Sequence, residues 1–264
     1  MFMKITSTLL LLIFSYSLSF SQQWKFTTGY NLSLMQQEMK ENIQPAHGLQ
    51  TGVLYQVPSL KRLSVGLEIG VGSYANKQVD QTFQFDNNTS AVVPVNYTSN
   101  VFNANLQTRI NLVDETKFVV IPYINAKAGL YNFFSNIYIE DPHDPLGCRA
   151  LESENIINDK TLYWSAGGGL QVDLGYFSKK KRRNSILLDL AANVIRGGTI
   201  DYINTKDLVE VQDATPLSKP VSVEFINAST QSIHEHAVAQ LYTSTLRMLE
   251  IRAGVVINLG KNKH

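Results

Sequence analysis

The stretch Leu63-Ser64-Val65-Gly66-Leu67-Glu68-Ile69-Gly70-Val71-Gly72 places an aliphatic residue at every second position, with Ser, Gly or Glu between. Successive side chains of a strand point to opposite faces, so this is a β-strand with one apolar and one polar face. The same period of two starts at Trp24, where Phe26, Thr28, Tyr30 and Leu32 alternate with Lys25, Thr27, Gly29, Asn31 and Ser33. Similar runs at 49–57, 102–112, 119–131, 162–176, 186–195 and 249–259 bring the total to about eight strands of membrane-spanning length. The least regular is Val119-Val120-Ile121-Pro122-Tyr123, where apolar residues fall on both faces and Pro122 lacks a ladder donor.

The intervals between the runs alternate in length. Short ones occupy 58–61, 114–117 and 178–183, and long ones 35–46, 75–99, 134–160 and 198–245. Barrels that cross the bacterial outer membrane combine short periplasmic turns with long extracellular loops, which puts both termini on the periplasmic side. Gln81-Thr82-Phe83-Gln84-Phe85, a turn at Asp86-Asn87-Asn88 and the run 92–97 predict strands that continue past the bilayer. Residues 222–236 suit either a further external hairpin or a short helix.

With the aliphatic set facing outward, the inward set holds Lys25, Glu68, Arg109, Lys127, Asp173, Asp189, Glu250 and Arg252, among Gln50, Asn103, Asn105, Gln171, Asn193 and Asn258. A soluble barrel is apolar inside, so the polar interior marks a membrane barrel. Trp24, Tyr55 and Tyr176 near the short-turn ends and Trp164 near an outer end suit interfacial aromatic belts. Side chains fill the bore of a barrel this small, so the charges predict a salt-bridged plug, with a cation or proton site in a pore as the alternative. If Phe177 pairs with Ser185, Asp173 stands opposite Asp189, and the two carboxylates need Arg109, Lys127 or Arg252 between them, or a shared proton.

The N-terminus carries Lys4, the apolar run 9–14 and small residues at Ser19 and Ser21, the layout of a cleavable export signal over residues 1–21. That run is too short for a spanning helix, and no later stretch approaches the about 20 apolar residues one needs. Removing the signal takes away one of the 23 basic residues and none of the 22 acidic ones, leaving a formal charge of zero. Such a balance excludes a nucleic-acid footprint. Cys148 is the single cysteine and cannot form a disulfide within the chain. Residues 22–264 are expected to form one barrel domain.

Several clusters invite a chemical reading. Lys179, Lys180, Lys181, Arg182 and Arg183 form a basic turn that could meet anionic lipid headgroups, or serve as a solvated turn at the bilayer edge. Asp141, His143, Asp144 and Cys148, with His234 and His236, are metal-ligand types without a standard spacing, so neither a metal nor another cofactor is expected. Ser232, His234, Glu235, His236 and Ser244 offer the residue types of an acyl-transfer enzyme without its geometry, and no catalytic residue is expected. Gly167-Gly168-Gly169 lies in mid-strand and reads as packing, not as a phosphate loop.

The signal ending Ser19-Phe20-Ser21, the strands rich in Tyr and Asn, and the alternation of short turns with long loops resemble the small outer-membrane barrels of Bacteroidota, the PorT-like group and more distantly the barrel half of OmpA-type proteins. The resemblance implies a monomeric barrel in outer-membrane lipid, with roles from envelope structure to accessory parts of protein secretion. The expected function is therefore that of a non-enzymatic, plugged barrel acting through loops and turns on an envelope or secretion partner. A small-solute channel and a lipid-modifying enzyme are the alternatives.

Overall fold

The computed structural model describes residues 23–85, 89–140, 150–177, 185–206, 208, 218–226 and 233–259. The expected export signal, the basic turn Lys179 to Arg183 and the segment with Asp141, His143, Asp144 and Cys148 lie outside these residues.

In chain order the elements are β1 (Trp24–Met35), α1 (Glu38–Asn42), β2 (Ala46–Gln56), β3 (Leu63–Phe85), β4 (Thr89–Asn111), β5 (Val120–Glu140), β6 (Ala150–Asp173), a 3-10 turn (Leu174–Phe177), β7 (Ile186–Ile203), β8 (Ser218–Ile226) and β9 (Ile233–Asn258). Strands β1 to β7 pair in sequence, β7 pairs with β9, and β9 returns to β1 from Lys25↔Asn258 to Met35↔Met248. The result is a closed, antiparallel, eight-stranded transmembrane barrel of the up-and-down type. β8 is a ninth strand that sits beyond β1 on the same edge of β9, so 222–226 and 233–236 are paired antiparallel strand and not helix. Pro122 is accommodated within β5 opposite Leu170 in unbroken register.

The wall has two sections of opposite polarity. In the part toward the short turns, Leu67, Leu106, Leu162 and Trp164 stand exposed outward, while Gln50, Glu68, Asn103 and Glu250 are buried inside. Toward the long loops the polarity inverts: Asn76, Gln78, Asp80 and Asn136 face out, and Val95, Tyr97, Ile137 and Ile139 are buried inside. An outward aliphatic face belongs against lipid, and an inward one belongs in water. The inversion marks where the strands leave the bilayer.

Above that level the wall divides into two sheets. β3 loses its β2 partner beyond His47↔Ser73, and β6 loses β7 beyond Tyr163↔Gly197. A four-stranded sheet, β3-β4-β5-β6, then faces a three-stranded one, β7-β9-β8. Val93, Val95, Tyr97, Ile137, Ile139 and Ile157 of the first pack on Ile203, Val238 and Ala239 of the second. The Tyr97 hydroxyl donates to the Val238 carbonyl at 2.5 Å, and Lys77 Nζ donates to the Thr205 carbonyl at 2.6 Å, across the gap between the sheets. The described residues of the intervals 75–99 and 134–160 are thus strands of the wall.

Candidate functional site

Alternation along the strands aims the charged residues into the bore, and pairing sets their heights. Arg252 on β9 places Nη1 2.7 Å from Glu68 Oε2 and Nη2 2.6 Å from Asp189 Oδ2. Lys127 Nζ on β5 lies 2.6 Å from the other Glu68 oxygen and 3.1 Å from Glu250 Oε1. Arg109 reaches Asp189 at 3.4 Å. These contacts join three cations and three carboxylates into one alternating chain, each side chain 3% exposed or less. A neutral, mutually paired set is the arrangement in which buried charge is tolerable, because each ion would otherwise carry a desolvation penalty of several kcal/mol.

Neutral groups extend the chain. Gln50 and Asn193 donate to the two Glu250 oxygens at 2.5 and 3.1 Å. The Tyr123 hydroxyl donates to Asp189 Oδ1 at 2.8 Å, while its ring lies 4.2 Å beneath the Arg109 guanidinium. Tyr123 can lie there because Gly169 has no side chain: a Cβ at 169 would come within 2.7 Å of the Tyr123 ring and 2.2 Å of the Leu190 carbonyl. The packing role read for the glycine run holds at that position.

Apolar layers lie on both sides of the charges. Toward the short turns, Ile121, Leu187 and Val256 are fully buried together with Val113 packed against them. Toward the long loops, Tyr131, Phe133, Tyr163, Ile195, Leu246 and Met248 form a second layer, with Tyr131 and Tyr163 edge-on at 5.4 Å. The segment between β1 and β2 folds over this layer: Met39 of α1 and the following Ile43 are buried in it. The Asn42 carbonyl holds the segment by accepting the N–H groups of Thr205 at 2.9 Å and Lys206 at 3.2 Å.

Six of the eight inward charges expected from the alternation are thus brought together, and two are not. Lys25 pairs instead with Glu115 at 2.6 Å, a residue of the β4–β5 turn that bends into the lower mouth. Asp173 Oδ1 accepts the Gly175 N–H at 2.9 Å at the start of the 3-10 turn. The opposition of Asp173 and Asp189 does not occur: Gln171 pairs with Asp189 and Leu187 with Asp173, and a 3-10 turn at Leu174–Phe177 follows where the strand was expected to extend. Tyr123, Glu115 and the two apolar layers were not anticipated. Tyr123 shares the inward phase of Asn125 and Lys127 and was open to the same reading, whereas Glu115 lies in a turn and carries no periodic signal. Among the described residues no cluster of three or more His, Cys, Asp or Glu could hold a metal ion. Of the acyl-transfer residue types, Ser244 is buried and inward-facing, and His234 and His236 lie on β9 opposite Phe225 and Val223.

The fold defines the class: an integral β-barrel of the outer-membrane kind, whose inward side chains are buried among the described residues. No family model matches the chain, and no curated protein matches it. Among solved structures it is similar to Neisserial surface protein A, with 6% identity and a TM-score of 0.46 over 89% of this chain and 96% of that one. It is also similar to a major outer membrane protein from Thermus thermophilus, with 12% identity and a TM-score of 0.43 over 89% and 98%. A third is Ail, the attachment invasion locus protein of Yersinia pestis, with 10% identity and a TM-score of 0.35 over 89% and 99%.

Proposed function

We propose that the protein is a closed, non-enzymatic anchor in the outer membrane that holds a rigid folded head outside the bilayer and engages another envelope or surface component through its two ends. The role matches the accessory and structural tasks of the PorT-like group. Export by the signal in residues 1–21 belongs to the same reading, as does a monomeric barrel in outer-membrane lipid.

One observation carries it: the ion-paired chain from Arg109 to Glu250 is enclosed between two apolar layers. An ion entering such a bore would have to break buried pairs and cross hydrocarbon-like packing, each costing several kcal/mol. With the bore closed, the head and the turns are the surfaces left to act. Their partner is a protein or surface component, since the head is built as a folded β structure with a hydrated exterior.

Planar-bilayer recording of the purified barrel, combined with cross-linking from head positions in intact cells, tests the proposal. The expected result is no steady conductance and a reproducible cross-linked partner. A stable open pore would overturn the closed anchor in favour of a solute channel. Altered lipid acylation in a deletion strain, restored by the wild type and not by His236→Ala, would overturn it in favour of an enzyme.

A further inference from the structure

At the short-turn end, a groove of about 980 Å³ lies between the β2–β3 and β4–β5 turns. Its floor is apolar. Leu63 and Ile110 are register partners on the outward face of the wall, and Leu60, 58% exposed, continues that surface past the end of the strands. Nearby, Trp24 and Tyr55 pair across β1 and β2 with ring centroids 5.1 Å apart. Paired Trp and Tyr at a strand end mark the headgroup level of a bilayer, so the groove opens where phospholipid headgroups lie.

The rim carries both signs of charge. Lys61 and Arg62 are exposed on one turn, and Arg62 Nη1 donates to the Leu112 carbonyl of the other at 3.4 Å. Across from them Asp114 accepts the hydroxyl of Thr116 at 2.7 Å and its N–H at 3.0 Å. These two bonds hold the Asp114 carboxyl below the usual carboxylate range, so it is ionised. The neighbouring Glu115 is already occupied by Lys25 and Asn111.

We infer that this groove binds a phosphoethanolamine phospholipid of the leaflet that the short turns face. The phosphate would lie against Lys61 and Arg62, the ammonium would donate to Asp114, and an acyl chain would run up the surface of Leu60, Leu63 and Ile110. A purely anionic headgroup would leave Asp114 opposed to it. A choline headgroup has no N–H to donate, and a carboxylate beside it would gain no hydrogen bond.

The test is native mass spectrometry of the delipidated full chain in detergent, offered phosphatidylethanolamine, phosphatidylglycerol and phosphatidylcholine in equal amounts. Phosphatidylethanolamine is expected to be retained at least about tenfold over phosphatidylcholine. Asp114→Asn should abolish that discrimination, and the double change Lys61→Gln with Arg62→Gln should reduce retention of phosphatidylethanolamine by a similar factor. Each variant is first checked for the unboiled-versus-boiled gel shift of a folded barrel. Equal retention of the three lipids, or a preference for phosphatidylglycerol, would overturn the assignment. A photo-cross-linker at position 60 that captures a periplasmic protein and no lipid in intact cells would also overturn it.

Discussion

The guanidinium of Arg252 bridges Glu68 and Asp189, at 2.7 and 2.6 Å, and so ties β9 across the bore to β3 and sideways to its neighbour β7. Among the described residues, no other side chain of the charged chain makes two contacts this short to carboxylates on different strands. The stability of the membrane section should therefore depend on Arg252 more than on its neighbours.

Arg252→Met is expected to destabilise the barrel by about 3–5 kcal/mol, the usual effect of removing one partner from a buried ion pair. Arg109→Met should cost less, because its 3.4 Å contact leaves Asp189 still held by Arg252. Urea unfolding of vesicle-inserted protein, followed by tryptophan fluorescence, would give the two values. Equal losses would contradict the ranking.

The head should fail separately from the barrel. Ile137 is fully buried in the packing between the two sheets, so Ile137→Ala should cost about 2–5 kcal/mol locally. The expected readout is faster protease cleavage outside the bilayer with an unchanged shift between unboiled and boiled protein on a denaturing gel.

Tyr97 gives the head an alkaline limit. It accepts from Gln81 Nε2 at 2.6 Å and donates to the Val238 carbonyl, and burial pushes its phenol above the ordinary value. The neutral form is the one the fold favours. Its stabilisation is fully present below the unfolded value of about 10 and is lost as pH rises through the higher folded value. Hydrogen exchange around Val238 should quicken above about pH 10 in the wild type. Tyr97→Phe should cost about 1 kcal/mol at neutral pH and flatten that dependence.

The segment carrying α1 is held over the upper apolar layer by Met39, which is fully buried. Met39→Asp would bury an unpaired carboxylate at a cost of several kcal/mol, so the segment should lift away. The expected result is new protease cleavage between residues 36 and 45, with the barrel still heat-modifiable. Full resistance would mean that the Asn42 bonds to Thr205 and Lys206 suffice to keep the segment in place.

The sequence alone determined the membrane wall. A strict period of two in 63–72 and its copies sets which side chains meet lipid, because the strand backbone fixes the direction of each residue without reference to any other part of the chain. For the same reason the inward phase of Glu68, Arg109, Lys127, Asp189, Glu250 and Arg252 was legible in advance. Which of them touch was decided only by the tertiary structure. Contact depends on register around the barrel. Beside the 3-10 turn at Leu174–Phe177, Gln171 stands opposite Asp189 and Asp173 accepts the Gly175 N–H. Likewise the aliphatic and aromatic residues of 93–97 and 137–139 could be read as strand but not as core. Their partners, Ile203 and Val238, are distant in sequence and meet them only because the wall splits into two facing sheets above the bilayer.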